Sequence, residues 1–192
     1  MAKRGRERTK PQPGALIGLL HHRWAVPALA ELDSVGGGAK LVTLQHRLGA
    51  SRDVLKRTLA ALSEAGLVAA NPGYGHPMRP EWVLTGLGRR IAPACTALVS
   101  VLCRLEVEEV GLKKWSLPVA HALATVGGRF NAVRGVNAEV TPRALAQALR
   151  DLQDVGLVER SLVDGSPPRS EYQLTRRGRR LTPVIEALVQ AI

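Results

Sequence analysis

One stretch of this chain occurs twice, and that duplication limits what it can fold into more than any other feature. Arg23-Trp24-Ala25-Val26-Pro27 is answered by Lys114-Trp115-Ser116-Leu117-Pro118, and Ala65-Gly66-Leu67-Val68 by Val155-Gly156-Leu157-Val158. Leu84-Thr85, Gly88-Arg89-Arg90 and Pro93 return as Leu174-Thr175, Gly178-Arg179-Arg180 and Pro183. From Ser51 and Thr141 onward the offset stays at 90 without a gap; the only slippage lies between Gly36 and Ala50. A period of this length is too long for a solenoid repeat and matches a small domain. The 192 residues are therefore read as a basic flexible tail (1–13), a first domain (14–102), a helical linker (103–112) and a second domain (113–192).

Charge narrows the partners. Lys and Arg number 27 against 16 Asp and Glu, a formal net charge of +11. The tail and both copies are net positive, while the join, with Glu106, Glu108 and Glu109, is net negative. Such a chain suits polyanions, nucleic acid before an anionic membrane. No apolar run comes near a bilayer-spanning length of roughly 20 residues. The basic start, followed by Pro11-Gln12-Pro13, does not read as a secretory signal. Two cysteines, Cys95 and Cys103, make no disulfide framework; eight apart on one helix, they read as buried small hydrophobes. A cytoplasmic, nucleoid-associated protein is the expectation.

Both copies carry the same local signals. Apolar spacing predicts helices over 24–32 and 115–124, ended by Gly36 and Gly127, and short helices over 41–48 and 130–136. Ser51 and Thr141 are N-cap residues for helices over 52–65 and 142–155, with Pro142 at the first helical position. Leu55, Leu59 and Leu62 form one inward stripe, and Leu145, Leu149 and Leu152 the other. Strands over 67–70 and 81–84, then 157–163 and 171–174, flank Pro/Gly-rich turns. Thr85 and Thr175 are expected to cap a last long helix, and in copy one that helix should run on through the linker. Trp24 and Trp115 are assigned to the core.

Three helices followed by a hairpin make a winged helix-turn-helix. The fold class is thus mainly α with small β wings, as two tandem winged helix-turn-helix domains; that they form a pseudo-dimer is what the family resemblance below implies. The likeness is narrower still. Gly-Arg-Phe-Asn (128–131), Thr-Pro-Arg-Ala-Leu (141–145), Leu-Arg-Asp-Leu (149–152), Gly-Leu-Val-Glu-Arg (156–160) and Pro-Pro-Arg-Ser-Glu-Tyr-Gln-Leu-Thr (167–175) resemble the HxlR-type bacterial transcriptional regulators. Copy one keeps Pro77, Arg79, Glu81, Leu84, Thr85 and Gly88 but lacks the Arg-Phe-Asn block. It also lacks the cysteine near the start that some family members use for sensing. Members usually carry one such domain and act as homodimers; this chain resembles a fused pair.

The resemblance implies sequence-specific binding of double-stranded DNA. At about 100° per residue, Asp53 and Arg57 point away from the leucine stripe with Arg52 and Lys56 on the flank, and Arg143, Gln147 and Arg150 do so in copy two. Arg suits guanine and Gln suits adenine, since each pairing forms two bonds. Arg79 and Arg169 in the wings are assigned to phosphate or the minor groove, against a pairing with Glu81 or Glu171 that only stiffens the hairpin. Arg89-Arg90, Arg176-Arg177 and Arg179-Arg180 begin helices, where positive charge opposes the dipole, so some of them should face phosphate. A small-molecule effector is a further partner that the sequence does not identify, and the assembly is a monomeric pseudo-dimer or a homodimer. No cofactor or metal is expected: His21-His22 are adjacent and no carboxylate or cysteine cluster supports them. Two other classes remain. A tandem winged-helix interaction or architectural chromosome protein is typically acidic, and a DNA-repair glycosylase needs a catalytic acid that nothing here marks.

Overall fold

The computed structural model describes residues 18–71, 81–163 and 169–192. Copy one contains α1 (Ala25–Ser34), β1 (Gly38–Lys40), α2 (Leu41–Leu48), α3 (Arg52–Glu64), β2 (Val68–Asn71), β3 (Glu81–Leu84) and α4 (Gly86–Arg104). A single turn, α5 (Glu108–Gly111), joins the copies. Copy two contains α6 (Ser116–Val126), α7 (Phe130–Val136), α8 (Pro142–Asp154), β4 (Val158–Val163), β5 (Arg169–Leu174), a 3-10 turn over Gly178–Leu181 and α9 (Thr182–Ala191). The expected tail and the turn holding Arg79 lie outside the described residues.

Local chemistry explains why the elements repeat. The Ser51 hydroxyl accepts from the Val54 amide at 3.4 Å, and that of Thr141 from Ala144 at 3.2 Å, so each 13-residue helix starts on a capped end. Each then stops on a glycine with positive φ: Leu67 N–H donates to Leu62 O and Leu157 N–H to Leu152 O, closing the same terminal loop. Thr85 and Thr175 do double duty. Their hydroxyls accept from Gly88 and Gly178 amides at 3.0 Å and donate to Gly66 and Gly156 carbonyls. Gly88 and Gly178 are needed for close approach, because a Cβ on either would lie 2.0 Å from the carbonyl oxygen of Leu67 or Leu157.

Three sequence expectations are corrected. The last helix of copy one does not run through the linker. It ends at Arg104, and Glu106 takes a left-handed φ of 52°. Glu106 N–H donates to Cys103 O and Val107 N–H to Leu102 O, the same loop that ends α3 and α8. Here glutamate holds the place glycine holds elsewhere, which hid the stop, and the turn lets both Leu105 and Val107 reach the core. In copy two the long terminal helix is divided. Thr175 still caps Gly178, but the chain then makes a 3-10 turn in which Arg180 N–H donates to Arg177 O at 3.2 Å before α9 begins; the equivalent Pro93 sits inside the unbroken α4, so proline alone does not divide the helix. Cys103 is exposed, whereas Cys95 is buried as expected.

Copy one also has a strand not read from the sequence. β1 pairs antiparallel with β3 (Gly38 with Val83, Lys40 with Glu81), giving the order β1-β3-β2. The equivalent connection in copy two, over 127–129, is shorter and makes only a bridge from Arg129 to Glu171 beside the β4–β5 hairpin.

One apolar cluster runs through both copies, from Leu19 to Val189. α4 is its spine, packed against α1 of its own copy and against α9 of the other. Contrary to the expectation from the sequence, α4 is long and apolar enough to cross a membrane by length and composition, but Ile91, Cys95, Leu98 and Leu102 are buried inside this core. Trp24 and Trp115 are half-buried against it, with the Arg23 and Lys114 cations 5.9 and 4.9 Å from their ring centres.

Candidate nucleic-acid interface

The leucine stripes decide what each copy shows to solvent. With Leu55, Leu59 and Leu62 buried, α3 presents Arg52, Asp53, Lys56 and Arg57, all exposed. With Leu145, Leu149 and Leu152 buried, α8 presents Arg143, Gln147 and Arg150. The preceding helix approaches differently in the two copies. Gly49, at φ 65°, turns the chain between α2 and α3. Between α7 and α8 the buried Asn137 does this, its side-chain amide donating to Val133 O at 3.0 Å and its carbonyl accepting from Val140 N–H at 2.8 Å.

The two exposed faces differ in their internal bonding. On α3, Arg57 Nε donates to Asp53 O at 3.3 Å, and no ion pair ties the four residues among the described residues. On α8 the polar groups form a chain. Arg150 Nη2 donates to Gln147 Oε1 at 2.9 Å, and Gln147 Nε2 donates to Asp151 Oδ1 at 2.8 Å. Lys113 Nζ, from the turn before α6, completes the chain on Asp151 Oδ2 at 2.9 Å. Burial pushes the Asp151 carboxyl up, but hydrogen bonds from Lys113 and Gln147 and the Lys113 and Arg150 charges outweigh it and hold the carboxyl below its usual range. It is an anion here. Arg143 has no such partner among the described residues.

In the wing of copy two, Arg169 pairs across the hairpin with Val163 and is exposed. The Glu171 ion pair weighed from the sequence does not form; instead Arg160 donates to the Ser170 hydroxyl from Nε and Nη2, at 3.0 and 2.6 Å. Arg79 lies outside the described residues. Arg89, Arg90, Arg176, Arg179 and Arg180 are exposed. Arg177 has a structural task instead: its guanidinium donates to Val155 O at 2.9 Å and to Leu105 O, tying copy two to the end of α4. Charge near a helix start was the sequence signal for Arg177, and it did not reveal this use. Asp151 was readable one turn beyond Gln147; Lys113, 38 residues from Asp151, was not. No group of three or more His, Cys, Asp or Glu gathers to hold a metal among the described residues.

The model of the HxlR-like helix-turn-helix family matches residues 19–105 and again 110–192. An uncharacterized HTH-type transcriptional regulator of Methanothermobacter thermautotrophicus is 35% identical over 91 residues, spanning 46% of this chain and 69% of that protein. The uncharacterized HTH-type transcriptional regulator YkvN of Bacillus subtilis is 34% identical over 89 residues, spanning 46% and 75%. Among solved structures, diamide-treated YodB from B. subtilis is 24% identical with a TM-score of 0.37, covering 49% of this chain and 84% of that one. A MarR-family regulator from Enterococcus faecalis V583 is 28% identical with a TM-score of 0.38, covering 48% and 79%.

Proposed function

Because the chain belongs to the HxlR-like helix-turn-helix family over both halves of its length, and is thereby a DNA-binding transcription regulator, we propose that a single chain acts as its own dimer on an operator of two unlike half-sites. α3 and α8 are the recognition helices, each laid in a major groove. Arg52, Asp53, Lys56 and Arg57 face one half-site, and Arg143, Gln147 and Arg150 face the other. Arg169 meets phosphate or the minor groove from the wing. Faces this different do not prefer the same bases, so the operator is an imperfect inverted repeat with half-site centres about one helical turn, or a multiple, apart.

The observation that carries this reading is the pair of capped 13-residue helices with exposed, cation-bearing faces, built into one continuous core. Two domains, over 14–102 and 113–192, are its working units, and the protein acts in the cytoplasm on the nucleoid by binding, without catalysis. A small-molecule effector tunes it.

Titration of random and selected duplex at several salt concentrations is the test. If about six phosphates are neutralised, log K falls against log salt with a slope of about −5. A slope near zero removes the electrostatic basis. A footprint over a perfect palindrome, occupied by two chains, overturns the single-chain pseudo-dimer and leaves a homodimer in its place.

A further inference from the structure

Gln147 is held at both ends, and its partners dictate which end is which. An amide side chain has two N–H donors and an oxygen with two lone pairs, and its orientation is normally free to reverse. Asp151 is a carboxylate and only accepts; it takes one Gln147 N–H at 2.8 Å. Arg150 only donates; it fills one lone pair of Gln147 Oε1 at 2.9 Å. Reversal would set N–H against guanidinium and oxygen against carboxylate. What stays free is one N–H and one lone pair in a fixed sense, which is what the adenine edge asks for at N7 and N6.

The fixed sense depends on a group outside the helix. The Asp151 side chain is only 14% exposed, and its second oxygen is taken by Lys113 Nζ at 2.9 Å. Lys113 stands at the very start of copy two, between α5 and α6, so the segment that follows the join reaches the reading face of α8. Copy one has no counterpart. At the places equivalent to Lys113 and Asp151 it has His22 and Ala61, and Arg57 stands where Gln147 does.

We infer that Lys113 and Asp151 are positioning residues: touching no base themselves, they set the sense in which Gln147 presents its amide and so fix the base pair that α8 prefers. This rests on the DNA-reading assignment of α8. It gives the chain one preset recognition helix and one adaptable one. Without Lys113 the Asp151 carboxylate loses the contact that holds it in place, and the Gln147 amide is no longer fixed between it and Arg150.

The experiment is selection of sites from a random duplex pool by the full chain and by four variants, each first shown by circular dichroism to melt as the wild type does. Gln147→Ala identifies the base pair that Gln147 reads. At that pair, Lys113→Met and Asp151→Asn are expected to reduce a preference of about tenfold toward parity while sparing the other positions. Lys113→Arg, which still donates to Asp151, should keep it. A purely structural or phosphate role for Lys113 would instead weaken all sequences alike and leave the motif unchanged, which would overturn the inference. So would a Gln147→Ala motif identical to the wild type's. Either outcome leaves the regulator assignment standing. A wild-type chain that selects no motif would sink base reading by α8 and this inference together.

Discussion

Leu188→Ala should destabilise both copies, not the second alone. Leu188 is fully buried on α9, and α9 packs more extensively on α4 of copy one than on any element of its own copy. The substitution removes three carbons at about 0.8 kcal/mol each from water-shielded contact. The hole left between two helices adds a cavity penalty, bringing the loss to about 3 kcal/mol within the usual 2–5 range. Against a total stability of about 5–15 kcal/mol this is a large fraction. With a urea dependence of about 2 kcal/mol per molar, the midpoint should fall by about 1.5 M. The informative measurement is hydrogen exchange read separately on α1 and α4 and on α6 and α9 during urea unfolding. A single core requires protection in α1, which belongs wholly to copy one, to be lost at the same lowered midpoint as protection in α9. If α1 and α4 keep the wild-type midpoint while α9 unfolds early, the copies are independent beads and the pseudo-dimer argument is refuted.

In the wing, Arg169→Ala should weaken binding to every sequence alike, because a phosphate contact carries no base information; Arg143→Ala should relax preference at one or two base pairs, at about 1–3 kcal/mol. Site selection with each variant separates them, and the assignment fails if Arg169 changes the motif and Arg143 does not. The thiols should differ in reactivity. Burial, with a smaller contribution from the Asp33 charge, pushes Cys95 up to about 12, so alkylation of the native protein at pH 8 should consume only the exposed Cys103. The hydrogen bond to Glu108 and that carboxylate's charge push Cys103 up as well. Glu108→Gln should therefore lower its pKa, raise the thiolate fraction at any pH below it and quicken alkylation; an unchanged or slower rate contradicts this. Glu106→Gly should stabilise the chain by about 0.5 kcal/mol, since glycine accepts the left-handed φ of 52° without the steric cost of a side chain. Thermal melting that shows a loss would mean the Glu106 side chain makes up for that cost.

What was readable from the residues is what neighbouring residues decide among themselves. Ser51 and Thr141 cap because a hydroxyl at that spacing meets the free amides of its own helix. The leucine stripes face inward because a period of 3.6 residues gives a helix one apolar side. Gly66 and Gly156 stop their helices because glycine takes positive φ. Comparing the copies extended this, since a device present twice, such as Thr85 with Gly88 and Thr175 with Gly178, is more than chance. Once the stripes are inward, the exposed faces of α3 and α8 follow. What escaped depends on residues far apart in the chain. Glu106 takes the place of glycine because the turn lets Leu105 and Val107, on either side of it, both enter a core built from distant segments. β1 forms because Gly36 and Gly37 carry the chain back alongside β3, where Gly37 O accepts from Leu84 N–H at 2.8 Å. Arg177 looked like a phosphate ligand until folding put the carbonyls of Leu105 and Val155 within its reach. The tether from Lys113 to Asp151 exists only when the turn before α6 and α8 meet. Helical period and capping act over a few residues and leave their mark in the sequence, whereas a hydrogen bond between distant segments has no local signature and is created by packing.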